Sequence, residues 1–218
     1  MTSFYQDIRP RFKALDIPPN AQGVAYTVPV IGYTDPGSKE AKYIMDSDAI
    51  ADFLDRTFPE RQLFRGPPEL QSAQREFLRV VHDNVYKDCR PFVLGNMVAW
   101  LHPVSSAYFR STYEPLVGPM AKMLMPSSKY DAALAKLTEG LEFIGAWLDR
   151  EGRVLGKEVL FTADEESERA PTYALLAFAG VLEWLHRTGG PKVWNEVLGV
   201  DGGRWAVVWE AAVPYIHD

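Results

Sequence analysis

Two kinds of hydrophobic spacing divide this chain. Val28 to Ile31 is a short β-branched run and Tyr43-Ile44-Met45 is a second, each the size of a strand. Between them, Thr34-Asp35-Pro36-Gly37-Ser38 is a turn cluster in which Pro presets φ and Gly supplies a positive φ, so the segment predicts a hairpin. After it, Ser47 or Asp46 can cap a helix whose apolar positions Ile50, Ala51, Phe53 and Leu54 fall at helical spacing up to Phe58-Pro59. From about Glu69 onward the texture changes. Leu70, Phe77, Leu78, Val81 and Val85 follow the i, i+3, i+4 pattern of an amphipathic helix, and Leu134, Leu137, Leu141, Ile144 and Leu148 repeat it. Tyr173 to Leu185 is apolar on nearly every side, as in a central buried helix, and no long strand-like alternation interrupts these segments. Arg65-Gly66-Pro67-Pro68 reads as a linker, because consecutive prolines break helix and favour extended backbone. The expected architecture is α/β + all-α: residues 1–64, a linker at 65–68, and an all-helical part over 69–218.

Composition narrows the classes. With 218 residues, 47% of them hydrophobic, the chain can bury one sizeable core or two modest ones. A net charge of −6 leaves no basic stripe to neutralise phosphates, so no nucleic-acid partner is expected. The single cysteine, Cys89, rules out an intrachain disulfide framework and fits a reducing compartment. The N-terminal stretch has no apolar signal core, and no apolar run approaches the roughly 18 residues of a membrane span. The expectation is a cytoplasmic protein with no membrane partner.

Most chemically suggestive residues have bland readings. Cys89 has basic neighbours, but a lone cysteine is usually a small buried apolar residue. His82, His102, His186 and His217 lack ligand spacing, so no metal site is expected. Ser3, Ser105 and Ser106 have no nucleophile-elbow glycines, and there is no phosphate-binding glycine loop. The run Asp164-Glu165-Glu166-Ser167-Glu168 reads as a solvated loop. Tyr86, Phe92, Met97, Trp100, Tyr108, Phe109 and Tyr113 either line an apolar pocket, with Arg110 as a polar anchor, or belong to the core. Pro91 and Pro103 predict a bent or broken helix pair there.

The segment Thr27-Val28-Pro29-Val30-Ile31, followed by Asp46-Ser47-Asp48-Ala49-Ile50, resembles the glutathione-binding half of the glutathione S-transferases. Pro171-Thr172-Tyr173-Ala174-Leu175 resembles the box that opens the family's buried helix. There Thr172 can still cap, while Leu175 replaces the acidic partner of a capping box. Gly202-Gly203-Arg204-Trp205 with Trp209, and Tyr108-Phe109-Arg110, resemble fungal members related to bacterial etherase-type transferases. The resemblance implies a thioredoxin-like domain ahead of an all-helical glutathione S-transferase C-terminal domain, with glutathione as cofactor and a homodimer as assembly. It implies that Pro29 is cis, that Val28 offers its backbone to the cysteinyl part of glutathione, and that Asp46 and Ser47 receive the γ-glutamyl ammonium and carboxylate. An apolar electrophile would then lie near Tyr86, Tyr108 and Arg110.

At its start the chain departs from the family pattern. Only 28 residues precede Pro29, and Phe4 to Ile8 with the following Phe12, Lys13, Leu15 and Ile17 resemble the family's second strand and the helix after it. The thioredoxin-like domain is therefore expected to be shortened, without its first strand and helix. A natural shortening, a lost exon and a different N-terminal structure all remain open. No catalytic residue is assigned, because the family's sulfur-binding group lies in the segment without a match, and Tyr5 is not given that role. The gap matters because thiolate is the nucleophile, and at an ordinary pKa of about 8.5 little of it exists at neutral pH. The resemblance implies addition of the glutathione thiol to an apolar electrophile, with fungal secondary metabolism as the setting. Reversible addition would give cis–trans isomerisation of a conjugated olefin. A non-catalytic binding or regulatory protein is the alternative.

Overall fold

The computed structural model describes residues 5–21, 23–119, 127–151, 156–162 and 170–216. Ser3, Phe4, His217 and the acidic run over 164–168 lie outside these. The chain forms two compact units, one from Met1–Leu63 with Val98–Met120 and one from Phe64–Met97 with Ala121–Asp218.

In the first unit a 3-10 turn, Tyr5–Asp7, leads into α1 (Ile8–Ala14). Strands β1 (Val30–Thr34) and β2 (Ala41–Met45) pair antiparallel, from Val30↔Met45 at one end to Thr34↔Ala41 at the other. The predicted turn closes them: Gly37 takes φ 87°, Ser38 N donates to the Asp35 carbonyl at 2.9 Å, and Lys42 reaches the Asp35 carboxylate. Helix α2 (Ser47–Thr57) packs on one face of the hairpin, where the rings of Tyr33 and Phe53 lie 4.3 Å apart. Asp55, buried on α2, accepts from Leu63 N at 2.6 Å and so secures the segment beyond that helix. Helix α5 (Pro103–Val117) also belongs to this unit, and its Ser105 hydroxyl donates to Gln6 Oε1 at 3.2 Å.

The strand expected over Phe4–Ile8 is not formed among the described residues. Residues 5–7 are helical and Ile8 opens α1. Pro10 sits in the first turn of α1, where its missing N–H leaves no helical bond unmade. A helix also satisfies its own backbone groups, whereas a strand here would need a partner edge.

In the second unit α3 (Pro68–Val81) continues through a π turn, His82–Tyr86, into α4 (Lys87–Trp100), which leaves the unit after Met97. The π turn stands one residue ahead of the turn that Pro91 deprives of a hydrogen bond, and the helix runs on past that proline. The chain breaks instead before Pro103, the first residue of α5. Then follow α6 (Ser127–Glu151), α7 (Gly156–Leu160), a two-residue ladder of β3 (Phe161–Thr162) with β4 (Ala170–Pro171), α8 (Tyr173–Thr188), α9 (Gly190–Gly199) and α10 (Arg204–Ala212). The ladder is too short to leave an alternating pattern in the sequence.

Helix α8 is the core of this unit. Ala174, Leu175, Phe178, Ala179, Leu182 and Leu185 are all buried, and the Phe178 ring meets Phe77 of α3 and Trp205 of α10 edge to face, at 5.7 and 5.3 Å. Thr172 caps it, accepting from Leu175 N at 3.1 Å while donating to the Val159 carbonyl at 2.7 Å. The Gly202-Gly203-Arg204-Trp205 motif makes a corner: both glycines take positive φ, and Arg204 donates to the Gly145 carbonyl at 2.9 Å and to Asp149. That corner delivers Trp205 fully buried into the core. The architecture is the expected one, a small α/β piece followed along the chain by an all-helical part. No helix among the described residues is long and apolar enough to cross a membrane.

Candidate functional site

One end of the hairpin gathers four of the residues singled out in the sequence. The loop ahead of β1 is held by Asn20, whose N–H donates to the Ala25 carbonyl at 2.8 Å and whose side chain donates to the Val24 carbonyl at 2.9 Å. Thr27 N points to Met45 Sδ at 3.4 Å, fastening the loop to β2. The chain then passes through Val28 and a cis Val28–Pro29 bond into β1, leaving the Val28 side chain 57% exposed. Because the register ends at Val30↔Met45, the next residues on either strand, Pro29 and Asp46, close the same end of the hairpin.

The first turn of α2 starts there. Of the two possible caps the structure selects Asp46, whose Oδ1 accepts from Asp48 N at 3.0 Å and Ala49 N at 3.1 Å. Its backbone carbonyl accepts from Ile50 N at 2.9 Å, and it adopts φ 90°, a sparsely populated region for a residue other than glycine. Two of the free N–H groups at this helix start are thus occupied by the protein's own carboxylate. The Ser47 hydroxyl is exposed and has no hydrogen-bond partner among the described residues. The arrangement offers a hydroxyl for an anionic group and a carboxylate, with Oδ2 outside the capping bonds, for a cationic one.

The opposite face of the hairpin from α2 borders a cleft of about 300 Å³. Alternation along β1 puts Val30 and Gly32 on this face, with Tyr43 directly across from Gly32, and Val28, ahead of the cis-proline, also lines the cleft. Asp7, Ile8, Arg11, Phe12 and Leu15 of the first helical segment supply the other wall. Gly32 leaves room for the Tyr43 ring, whose Cε1 would stand 3.0 Å from a Cβ at that position.

Of the candidates for the electrophile, Tyr108 and Arg110 sit on α5 in the same unit, outside the cleft lining. Arg110 is 3.7 Å from Glu114. Tyr86 belongs to the second unit, where its ring stacks on His82 at 5.5 Å and meets Trp184 at 5.8 Å, with the Arg90 guanidinium 5.1 Å from its centre. Within the same aromatic stretch Phe92 and Phe109 are buried, Met97 accepts from the Trp184 indole N–H, and Trp100 is 67% exposed. Cys89 is fully buried, and burial, with a smaller push from Asp88, raises its thiol to about 12. No group of three or more His, Cys, Asp or Glu side chains among the described residues could hold a metal ion. The cleft walls from α1, above all Arg11 and Phe12, escaped the sequence reading. The trace of that face in the sequence is the parity of Val30 and Gly32.

A hairpin entered through a cis-proline, a helix capped at its open end and an all-helical part beyond together define a thioredoxin-like module joined to a helical domain. The chain belongs to the glutathione S-transferase family: the family's C-terminal domain model matches residues 72–215. Among solved structures it is similar to a glutathione S-transferase of Ceriporiopsis subvermispora in complex with glutathione, at 27% identity and a TM-score of 0.78, spanning 100% of this chain and 84% of that one. It is also similar to the glutathione transferases GSTFuA2 and GSTFuA3 of Phanerochaete chrysosporium. Identities are 26 and 25% and TM-scores 0.74 and 0.75, over 99 and 100% of this chain and 82 and 83% of theirs. No curated protein sequence matches the chain.

Proposed function

We propose that this protein binds glutathione at the open end of the β1–β2 hairpin and adds its thiol to an apolar, electrophilic small molecule. The observation that carries the reading is the placement of exposed Val28 beside the α2 N-terminus, where the Ser47 hydroxyl is unpartnered and Asp46 presents a carboxylate. The glutathione complex of the similar Ceriporiopsis enzyme supports it. In this reading the Val28 backbone N–H and C=O pair with the cysteinyl part and Ser47 donates to the γ-glutamyl carboxylate. Asp46 meets the γ-glutamyl ammonium with a charge-assisted bond. Tyr108 and Arg110 on α5 are the residues through which this unit would contact the electrophile.

With a conjugated carbonyl compound the thiolate sulfur adds to the β-carbon, and the π pair moves onto the carbonyl oxygen as an enolate. Protonation of the α-carbon leaves a conjugate. Rotation about the former double bond followed by expulsion of the thiolate returns glutathione unchanged and isomerises the olefin. The protein acts as a homodimer in the cytoplasm, in fungal secondary metabolism. Likeness to the fungal transferases supports that setting.

Calorimetric titration with glutathione tests the reading. Binding in the micromolar-to-millimolar range is expected, weakened about tenfold, or about 1.4 kcal/mol, by Ser47→Ala. An absence of heat with the intact protein would remove the glutathione-dependent reaction. Binding without turnover of any electrophile would leave a non-catalytic glutathione-binding protein.

A further inference from the structure

Strand β1 pairs with β2 along one edge, and among the described residues no segment pairs with its other edge. Along such an edge every second residue turns its N–H and C=O outward, and a two-stranded sheet is marginal in water until further strands join it. The two outer edges of this hairpin differ in chemistry. β2 carries Lys42 at an exposed position, paired with Asp35, and a lysine on an edge discourages strand addition. β1 is Val30-Ile31-Gly32-Tyr33-Thr34, uncharged over its whole length, with Gly32 and Thr34 exposed. We infer that this edge is the self-association surface of the protein. A second copy of the chain lays its own β1 antiparallel against it, giving one four-stranded sheet in the order β2-β1-β1-β2. The inference rests on the homodimer proposed above and not on glutathione binding.

Self-complementarity argues for a second copy as the occupant. Two-fold symmetry requires the patch to match itself, and pairing centred on Gly32 brings all five residues of each β1 into register. Gly32 then stands opposite Gly32, Ile31 opposite Tyr33 and Val30 opposite Thr34. Tyr33 lies on the face covered by α2, and alternation puts Ile31 there too, so each crossing sets a β-branched side chain against an aromatic ring, a favourable pair. On the other face the two glycines leave the centre of the junction without side chains to collide. Charge points the same way. The chain carries −6, so copies repel one another, and a strip without charges adds no like-charge pair to that cost. Strands in a sheet lie about 4.8 Å apart, so the two hairpins stand about 10 Å apart centre to centre, a spacing at which the α2 helices of the two copies pack side by side. Pairing stops at Val30, and the Val28 backbone lies beyond the paired residues.

Cross-linking of the full chain reads the register directly. Val30→Cys combined with Thr34→Cys places each new thiol opposite its counterpart in the second copy, with Cα atoms about 4.5–5.5 Å apart and so within disulfide reach. Within one chain the same two positions stand about 13 Å apart along the strand and cannot bridge. Cys89 is buried and takes no part. Under mild oxidation the double variant is expected to give at least about fivefold more covalent dimer than either single variant. It should exceed by as much Ala41→Cys combined with Met45→Cys, which sets the same spacing on the β2 edge. Hydrogen exchange on the unaltered protein needs no variant: with rising concentration, the amides of residues 30–34 should slow more than those of 41–45, in the micromolar range of a small interface. A monomer by sedimentation at every concentration would remove the homodimer and this surface together. A dimer whose residues 30–34 gain no protection, or equal cross-linking in the single and β2 variants, would overturn the surface and leave the homodimer to another face. Neither outcome bears on the glutathione titration.

Discussion

In the proposed glutathione site Asp46 gives one carboxylate two tasks, and its two oxygens divide them. Oδ1 holds the first turn of α2 through Asp48 N and Ala49 N, while the negative charge is what a bound ammonium would meet. Asp46→Asn keeps an acceptor for the cap and removes the charge. Its unfolding free energy in urea is expected to stay within about 0.5 kcal/mol of the parent, while glutathione affinity falls about fivefold or more. Asp46→Ala loses both, and the missing cap alone is expected to cost about 1 kcal/mol. If Asp46→Asn bound glutathione as tightly as the parent, the carboxylate would have no part in recognition. The sequence left Ser47 and Asp46 as rival caps, because both residue types cap helices. The choice rests on the φ of 90° at Asp46, a backbone angle that no local pattern announces.

Helices α3, α6 and α8 were legible because burial on one face, or all round, leaves a period in the sequence. Leu134, Leu137, Leu141, Ile144 and Leu148 are all buried on α6, as their spacing requires. The π turn at His82–Tyr86 was not legible, since one wider turn leaves no period of its own in the sequence. Gly140 of α6 comes so close that a Cβ there would stand 2.1 Å from the Asn84 carbonyl oxygen. The start of α8 is the element most exposed to a single change. Thr172→Ala would remove the cap on Leu175 N and leave the buried Val159 carbonyl without its donor, a loss of about 1–3 kcal/mol in chemical unfolding. Thr172→Ser, which keeps the hydroxyl, should recover most of it. Equal losses in the two variants would mean that the methyl group, not the hydroxyl, secures the helix.

At the scale of the whole molecule, chain order and spatial grouping part company. Helix α5 follows two helices of the second unit, yet it groups with the hairpin and brings Ser105 to Gln6. Hydrophobic periodicity reports which face of α5 is apolar and says nothing about which partner covers it, so this grouping could not be read from spacing. Residues 1–64 produced alone would lack that helix. They are expected to give a poorly dispersed amide spectrum by nuclear magnetic resonance, where the full chain gives a dispersed one. A dispersed spectrum from the fragment would show that the hairpin and its two helices hold together unaided. The chain's single cysteine carries a consequence of a different kind. Disulfide exchange needs an accessible thiolate, and Cys89 is fully enclosed with its thiol raised to about 12. In an oxidised cell, where surface thiols of other proteins become capped by the tripeptide disulfide, this fold offers nothing to cap. Its working state would then follow the supply of reduced tripeptide and not the oxidation of its own chain.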